Sequence, residues 1–174
     1  KKHTEKLGKR RETKHDFGTN PCSEIILRPR EFCNLTEAVI RSDDKWSDIQ
    51  RKVELAAVLG TWQSTLTNFR YISNKWKTNC EEERLLGVSL TGIMDNDLTN
   101  GHDLVSPTEI DILSENLELL KEMALGQNKW MSDQIGINSS AAITAIKPSG
   151  TVSQLVDSAS GIHTRHSLYY VRTV

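Results

Sequence analysis

RLLGVSLTGIMD, from Arg84 to Asp95, is a short, mostly apolar run with two glycines, better suited to a buried strand than to a helix. Upstream of it, SDIQRKVELAAVLGTWQSTLTNF repeats Ile49, Val53, Ala56 or Ala57, and Gly60 at helical spacing, with Ser47 available as N-cap. The small residues Ala56, Ala57 and Gly60 predict a helix packed closely against another element. Downstream, the clearest helix begins at SPTE: Ser106 is the N-cap, Pro107 takes the first helical position and Glu109 completes a capping box. Ile110, Leu113, Leu117, Leu120, Ala124 and Met131 form its apolar stripe, and Gly136 supplies a stop.

Further strands flank these helices. CSEIIL and FCNLTEAVI are two extended segments separated by RPRE, AAITAI (Ala141 to Ile146) is a β-type run broken at Pro148 and Gly150, and LYYVRTV alternates like a strand. Strands interleaved with long helices predict an α/β architecture with a largely parallel sheet or barrel. There is no internal repeat and no low-complexity tract.

Composition narrows the class. Hydrophobic residues make up 37% and charged residues 26% of 174 residues, which fits a globular domain with a sizeable core. No apolar run approaches the ~20 residues that span a bilayer. The first stretch is basic with no apolar segment behind it, so no signal peptide is expected. Three cysteines are too few for a disulfide framework, and a reducing cytoplasm is the expected location. A net charge of −1 predicts no strong attraction to nucleic acid or membrane. Residues 1–16 are dense in Lys and Arg and read as a solvated, mobile arm, the remainder (17–174) as the folded segment.

Within GTNPCSEIILRPREFC, Asn20, Cys22 and Glu24 occupy every second position. In a strand these three side chains project to one side and Pro21 to the other. A thiol, a carboxylate and a carboxamide on one face form a plausible reactive set, the carboxylate as base and the sulfur as nucleophile or radical. A small buried hydrophobe beside a solvated Glu fits the same spacing. Cys80, between Asn79 and an acidic run, reads as structural.

KPSGTVS (Lys147 to Ser153) follows an apolar strand and precedes a short helical start. Gly150 permits close backbone approach, and Ser149, Thr151 and Ser153 add hydroxyl donors, a setting that suits phosphate. The loop equally fits an ordinary capped turn, and it is not a Walker A motif. His163 and His166 share a spacing of three, but no carboxylate or cysteine close in sequence completes a metal site. A cysteine hydrolase pairing Cys22 with His163 lacks a local signature.

GTNPCSEI followed by EFCNL, then EEERLLGVSLTGIMDN, KPSGTVSQLVDSASGIHTRH and YYVRTV resemble, in order, the catalytic subunit of ribonucleotide reductases, most closely the adenosylcobalamin-dependent type. The resemblance covers nearly everything from Phe17 to Val174. It implies a fragment of the family's ten-stranded α/β barrel, with a finger loop carrying the radical cysteine. By resemblance Cys22 matches the thiyl radical that takes hydrogen from the ribose 3′ carbon. Glu24 matches the base for the 3′ hydroxyl and Asn20 the amide hydrogen-bonded in the same site. Cys33 matches one of two cysteines that deliver reducing equivalents, and Pro148, Ser149, Gly150, Thr151 and Val152 match the substrate-phosphate loop. Glycyl-radical members generally lack the equivalent of Glu24.

The resemblance further implies adenosylcobalamin as cofactor, a ribonucleotide substrate, a thioredoxin-type reductant and the remaining reductase segments as partners. The partner of Cys33 is expected upstream of Cys22, where this chain has no cysteine. The expected activity is therefore that of a catalytic-core segment which works only when joined to the rest. A non-catalytic remnant that keeps the phosphate loop as a binding or assembly module is the alternative.

Overall fold

A computed structural model of the chain describes residues 11–102, 106–167 and 169–171. Two βαβ crossovers organise it. Strand β3 (Asn34–Val39) lies parallel to β4 (Leu86–Thr91), in register from Asn34 opposite Leu86 to Val39 opposite Thr91. Between them run helices α1 (Trp46–Gln63) and α2 (Asn74–Glu83). After β4 the chain passes through helix α3 (Pro107–Ile135) and returns beside β4 at residues 142–145. There Leu86 and Val88 donate their N–H groups to Ala142 and Ile143 at 2.9 and 2.8 Å, and Thr144 bridges Val88 in parallel. The expected run from Ala141 to Ile146 thus pairs as an irregular third strand.

Period-two alternation divides the sheet into two faces. On one, Ala38, Ile40, Leu86 and Val88 meet Ile49, Val53, Ala56 and Ala57 of α1 and Leu120 and Ala124 of α3. Gly60 allows the close approach expected of it, since a Cβ there would stand 3.3 Å from Leu86 Cδ2. A buried polar link fixes the two helices: Asn128 donates to the Thr61 hydroxyl (2.8 Å) and the Ser140 hydroxyl (3.0 Å). On the opposite face, Gly87 leaves room for Leu35 and for Ile25 from a small antiparallel hairpin, β1 (Gly18–Thr19) with β2 (Ile26–Leu27).

Helix signals were legible in part. Ser106, Pro107, Glu109 and Gly136 cap α3 as expected, with Gly136 at φ +70°. Only the C-terminal part of the α3 stripe is buried, at Leu120, Ala124 and Met131, whereas Ile110 and Leu117 are exposed. Ser47 is not the N-cap of α1. The helix starts at Trp46, and the Asp48 carboxylate accepts the Lys45 N–H at 2.9 Å, which satisfies an otherwise orphaned donor. In the expected last strand, Tyr169, Tyr170 and Val171 are exposed and unpaired in any sheet. The remaining residues of that run, 168 and 172–174, lie outside the described residues.

Candidate active site

The hairpin carries the thiol set, though not in the way that alternation predicts. Asn20 to Ile25 form a turn rather than a strand. Asn20 N–H donates to the Ile25 carbonyl (3.3 Å), its Oδ1 accepts the Ile25 N–H (3.0 Å), and Ser23 N–H donates to the Asn20 carbonyl (2.9 Å). Ser23 sits at φ +63°, which reverses the chain between Cys22 and Glu24. The expected strand face is therefore replaced by the tip of a hairpin, because a two-residue ladder closed by Asn20 stops the extended chain at Thr19. Cys22 is exposed there. Glu24 is half-buried, and its Oε2 is fully enclosed without a hydrogen-bond partner.

Cys33 stands just before β3, held by its neighbour Phe32. The Phe32 ring stacks on Trp76 at 4.5 Å, and its N–H donates to Cys80 Sγ at 3.3 Å. Cys80 is buried and serves this contact. Burial, with the negative charges of Glu31 and Glu24 nearby, pushes the Cys33 thiol up to about 12. Cys33 and Glu24 thus share one electrostatic neighbourhood.

Beneath the hairpin lies a buried ionic cluster that the sequence did not announce. Arg11 Nε donates to Glu83 (2.9 Å) and Arg11 Nη2 to the Ile26 carbonyl (2.6 Å). Arg28 donates to the Asn79 carbonyl (2.9 Å) and Glu82 (3.1 Å), while Glu31 accepts the Arg28 N–H (2.9 Å). Arg11, Arg28, Glu31 and Glu83 are all buried. Arg11 departs from the solvated arm expected of 1–16, since two carboxylates and a carbonyl replace its water; residues 1–10 of that arm lie outside the described residues. No local signal could have paired Arg11 with Glu83.

The Lys147–Ser153 loop lies where the parallel strands end, the usual binding edge of an α/β sheet. Ser149 is buried at φ +52°, and its hydroxyl donates to Glu37 of β3, whose other oxygen meets Lys147 Nζ at 2.8 Å. Lys147 N–H donates to the Ser89 hydroxyl of β4 (2.9 Å). Ser160 Oγ donates to the Pro148 (2.8 Å) and Ser149 (3.1 Å) carbonyls, and Gly161 packs so closely that a Cβ would stand 2.7 Å from the Lys147 carbonyl. Thr151 precedes a single helical turn, α4 (Val152–Leu155). Ser149 is therefore turned inward, so its hydroxyl is not offered to a ligand.

A polar cleft of about 520 Å³ opens beside this loop, lined by Gly150, Ser153, Gln154, Arg165, His166 and Tyr170 among others. Arg165 donates to Asp95 (2.9 Å) and Asp157 (2.7 Å), and these carboxylates hold its guanidinium charged. Cys22, Glu24 and Asn20 do not line that cleft. The thiol set and the loop are linked instead through the sheet, by Ile25 over Gly87 and by Glu37 under Ser149. His163 meets the Ser160 carbonyl and His166 packs edge-on to Tyr170, and among the described residues no group of three or more His, Cys, Asp or Glu could hold a metal ion. No helix among them is long and apolar enough to cross a membrane.

No family model matches the chain. It is 30% identical over 178 residues to the adenosylcobalamin-dependent ribonucleoside-triphosphate reductase of Lactobacillus helveticus (strain DPC 4571), covering 90% of this chain and 23% of that protein. The enzyme of the same name from Lactobacillus leichmannii is 29% identical over 176 residues with the same coverage. Among solved structures, a B-12 dependent (class II) ribonucleotide reductase superposes with a TM-score of 0.62 at 20% identity, over 92% of this chain and 23% of that one. The chain thus spans about a quarter of the length of the curated relatives it matches. The resemblance drawn from the motifs is borne out over that span, and the fold is a fragment of such an α/β barrel, with no closed barrel among the described residues.

Proposed function

We propose that this chain is a catalytic-core segment of an adenosylcobalamin-dependent ribonucleotide reductase, in which Cys22 bears the thiyl radical and Glu24 is the base. The observation that carries this is the pairing, on one hydrogen-bonded turn, of an exposed sulfur with an enclosed carboxylate oxygen that has no protein partner. A buried acceptor left unsatisfied is costly, and here, beside the exposed thiol, a substrate hydroxyl would satisfy it. Glu24 Oε2 would accept the proton of the ribose 3′ hydroxyl as Cys22 takes the 3′ hydrogen atom. That deprotonation eases departure of the 2′ hydroxyl as water. Asn20 spends its carbonyl on closing the turn, so its role is to hold Cys22 and Glu24 in place.

The reduction must balance. Two thiols supply two electrons and two protons, the 2′ carbon is reduced, water leaves and a disulfide forms. Cys33 is one of those thiols; with its ionisation pushed up to about 12 it stays protonated at neutral pH, the form that can deliver hydrogen. The second thiol comes from another segment, and a thioredoxin-type dithiol resets the pair. Residues 148–152 form the loop that holds the substrate's phosphates, with the backbone N–H groups of Thr151 and Val152 at the start of α4 as donors, ahead of the first bonded amide, Ser153. Bound adenosylcobalamin would supply the radical that activates Cys22.

The test is nucleotide reduction by the chain joined to the remaining reductase segments, with adenosylcobalamin and a dithiol. Cys22→Ser is expected to abolish turnover, and Glu24→Gln to lower kcat by about two to four orders of magnitude, the usual loss of a general base. Retained activity in Cys22→Ser would sink the assignment, whereas an inactive wild-type assembly would favour a binding remnant.

A further inference from the structure

Glu37 reaches the phosphate loop from β3, 112 residues away in sequence. Strand alternation puts Thr36 and Ala38 against the helices, so Glu37 shares the opposite face with Leu35. Its side chain is only 8% exposed. A carboxylate so enclosed needs compensation. It receives it from two donors, the Lys147 ammonium and the Ser149 hydroxyl, both in the loop.

The dependence runs the other way as well. Ser149 holds a left-handed backbone that a residue with a Cβ adopts only when its surroundings enforce it. Its carbonyl accepts the Ser153 N–H (3.3 Å), so this turn sets where α4 begins and which way its first amides point. Lys147 and Ser149 carry the donors a phosphate would be expected to attract, yet both are committed to Glu37. What they give the ligand is position rather than charge.

We infer that Glu37 is a positioning residue for the phosphate loop: by holding Lys147 and Ser149 it fixes the left-handed turn that aims the backbone of Thr151 and Val152 at the substrate. The inference rests on the assignment of 148–152 to substrate phosphate. It differs from that assignment in making a buried anion, not a cation, the residue on which anion binding depends.

The test uses the assembled reductase and compares binding of a ribonucleoside triphosphate with that of the same ribonucleoside lacking phosphates. Glu37→Gln should raise KM and Kd for the triphosphate about tenfold, the scale of one lost charge-assisted hydrogen bond, with kcat changed less than about threefold. Binding of the bare ribonucleoside should not change. Ser149→Ala should reproduce the loss, and the double variant should be no worse than either single one, because both act through one contact. Tighter triphosphate binding by Glu37→Gln overturns the inference, as it would make Glu37 a mere repulsive charge. So does a fall in kcat at constant KM, or a drop in Tm without a change in either Kd. A wild-type enzyme that binds the triphosphate no better than the ribonucleoside overturns the phosphate-loop assignment itself, and the inference with it.

Discussion

At Glu31, burial sets a titration that the sequence does not show. Burial and the neighbouring Glu83 push its carboxyl from an ordinary 4.5 up to about 7, against the opposing Arg28 N–H. A raised folded-state value means that the folded chain binds more protons than the unfolded one between those two pH values. Stability is therefore highest below about pH 4.5 as far as this group is concerned, and falls as pH rises toward 7. Glu31→Gln should flatten that slope in denaturant melts run from pH 5 to pH 8, and an unchanged slope would remove Glu31 as its source. Residue types were legible in the sequence here, for Cys22, Glu24 and Cys33 alike. Their settings were not, because Arg11 and Glu83 converge on the local pair Arg28 and Glu31 from segments far apart in the chain.

Among the elements, β4 and its exit are the most constrained. Gly92 ends the strand at φ +77°, and a Cβ there would stand 2.4 Å from the Ile40 carbonyl, a backbone atom that cannot step aside. The chain then tightens into the 3-10 turn Ile93–Asp95, which carries Asp95 to the Ala159 N–H (2.7 Å) and to Arg165. Gly92→Ala should cost more than about 2 kcal/mol in urea unfolding, from strain and displacement together. A loss near zero would mean that the turn relaxes freely. The helices show how far local signals carry. Ser106 and Glu109 cap α3 as their spacing predicts, since a capping box closes within four residues. The hairpin shows where they stop, because Asn20 closing on Ile25 overrides the alternation of Asn20, Cys22 and Glu24.

For the whole molecule, what matters is apolar surface that the chain does not cover. Among the described residues β3 pairs only with β4, so its other edge has no strand partner. Leu55 and Leu59 of α1, Ile110 of α3 and Ile146 are each at least half exposed. An open edge beside apolar helix faces invites pairing with another chain. The isolated 174-residue chain is accordingly expected to associate, and sedimentation at rising concentration should show species heavier than the monomer. A monomer that unfolds in one cooperative step would contradict this.

The sequence by itself determined the α/β class, the caps of α3, the buried strand at Leu86–Thr91 and the chemical types in the thiol set and the Lys147–Ser153 loop. These rest on periodicity and on contacts within a few residues, which a linear chain displays directly. Only the tertiary structure decided that Cys22 sits on a turn, that Ser149 faces inward to Glu37, and that Arg11 and Glu83 are buried together. Those outcomes depend on which distant groups must compensate one another once water is excluded. Spacing along the chain carries no record of that.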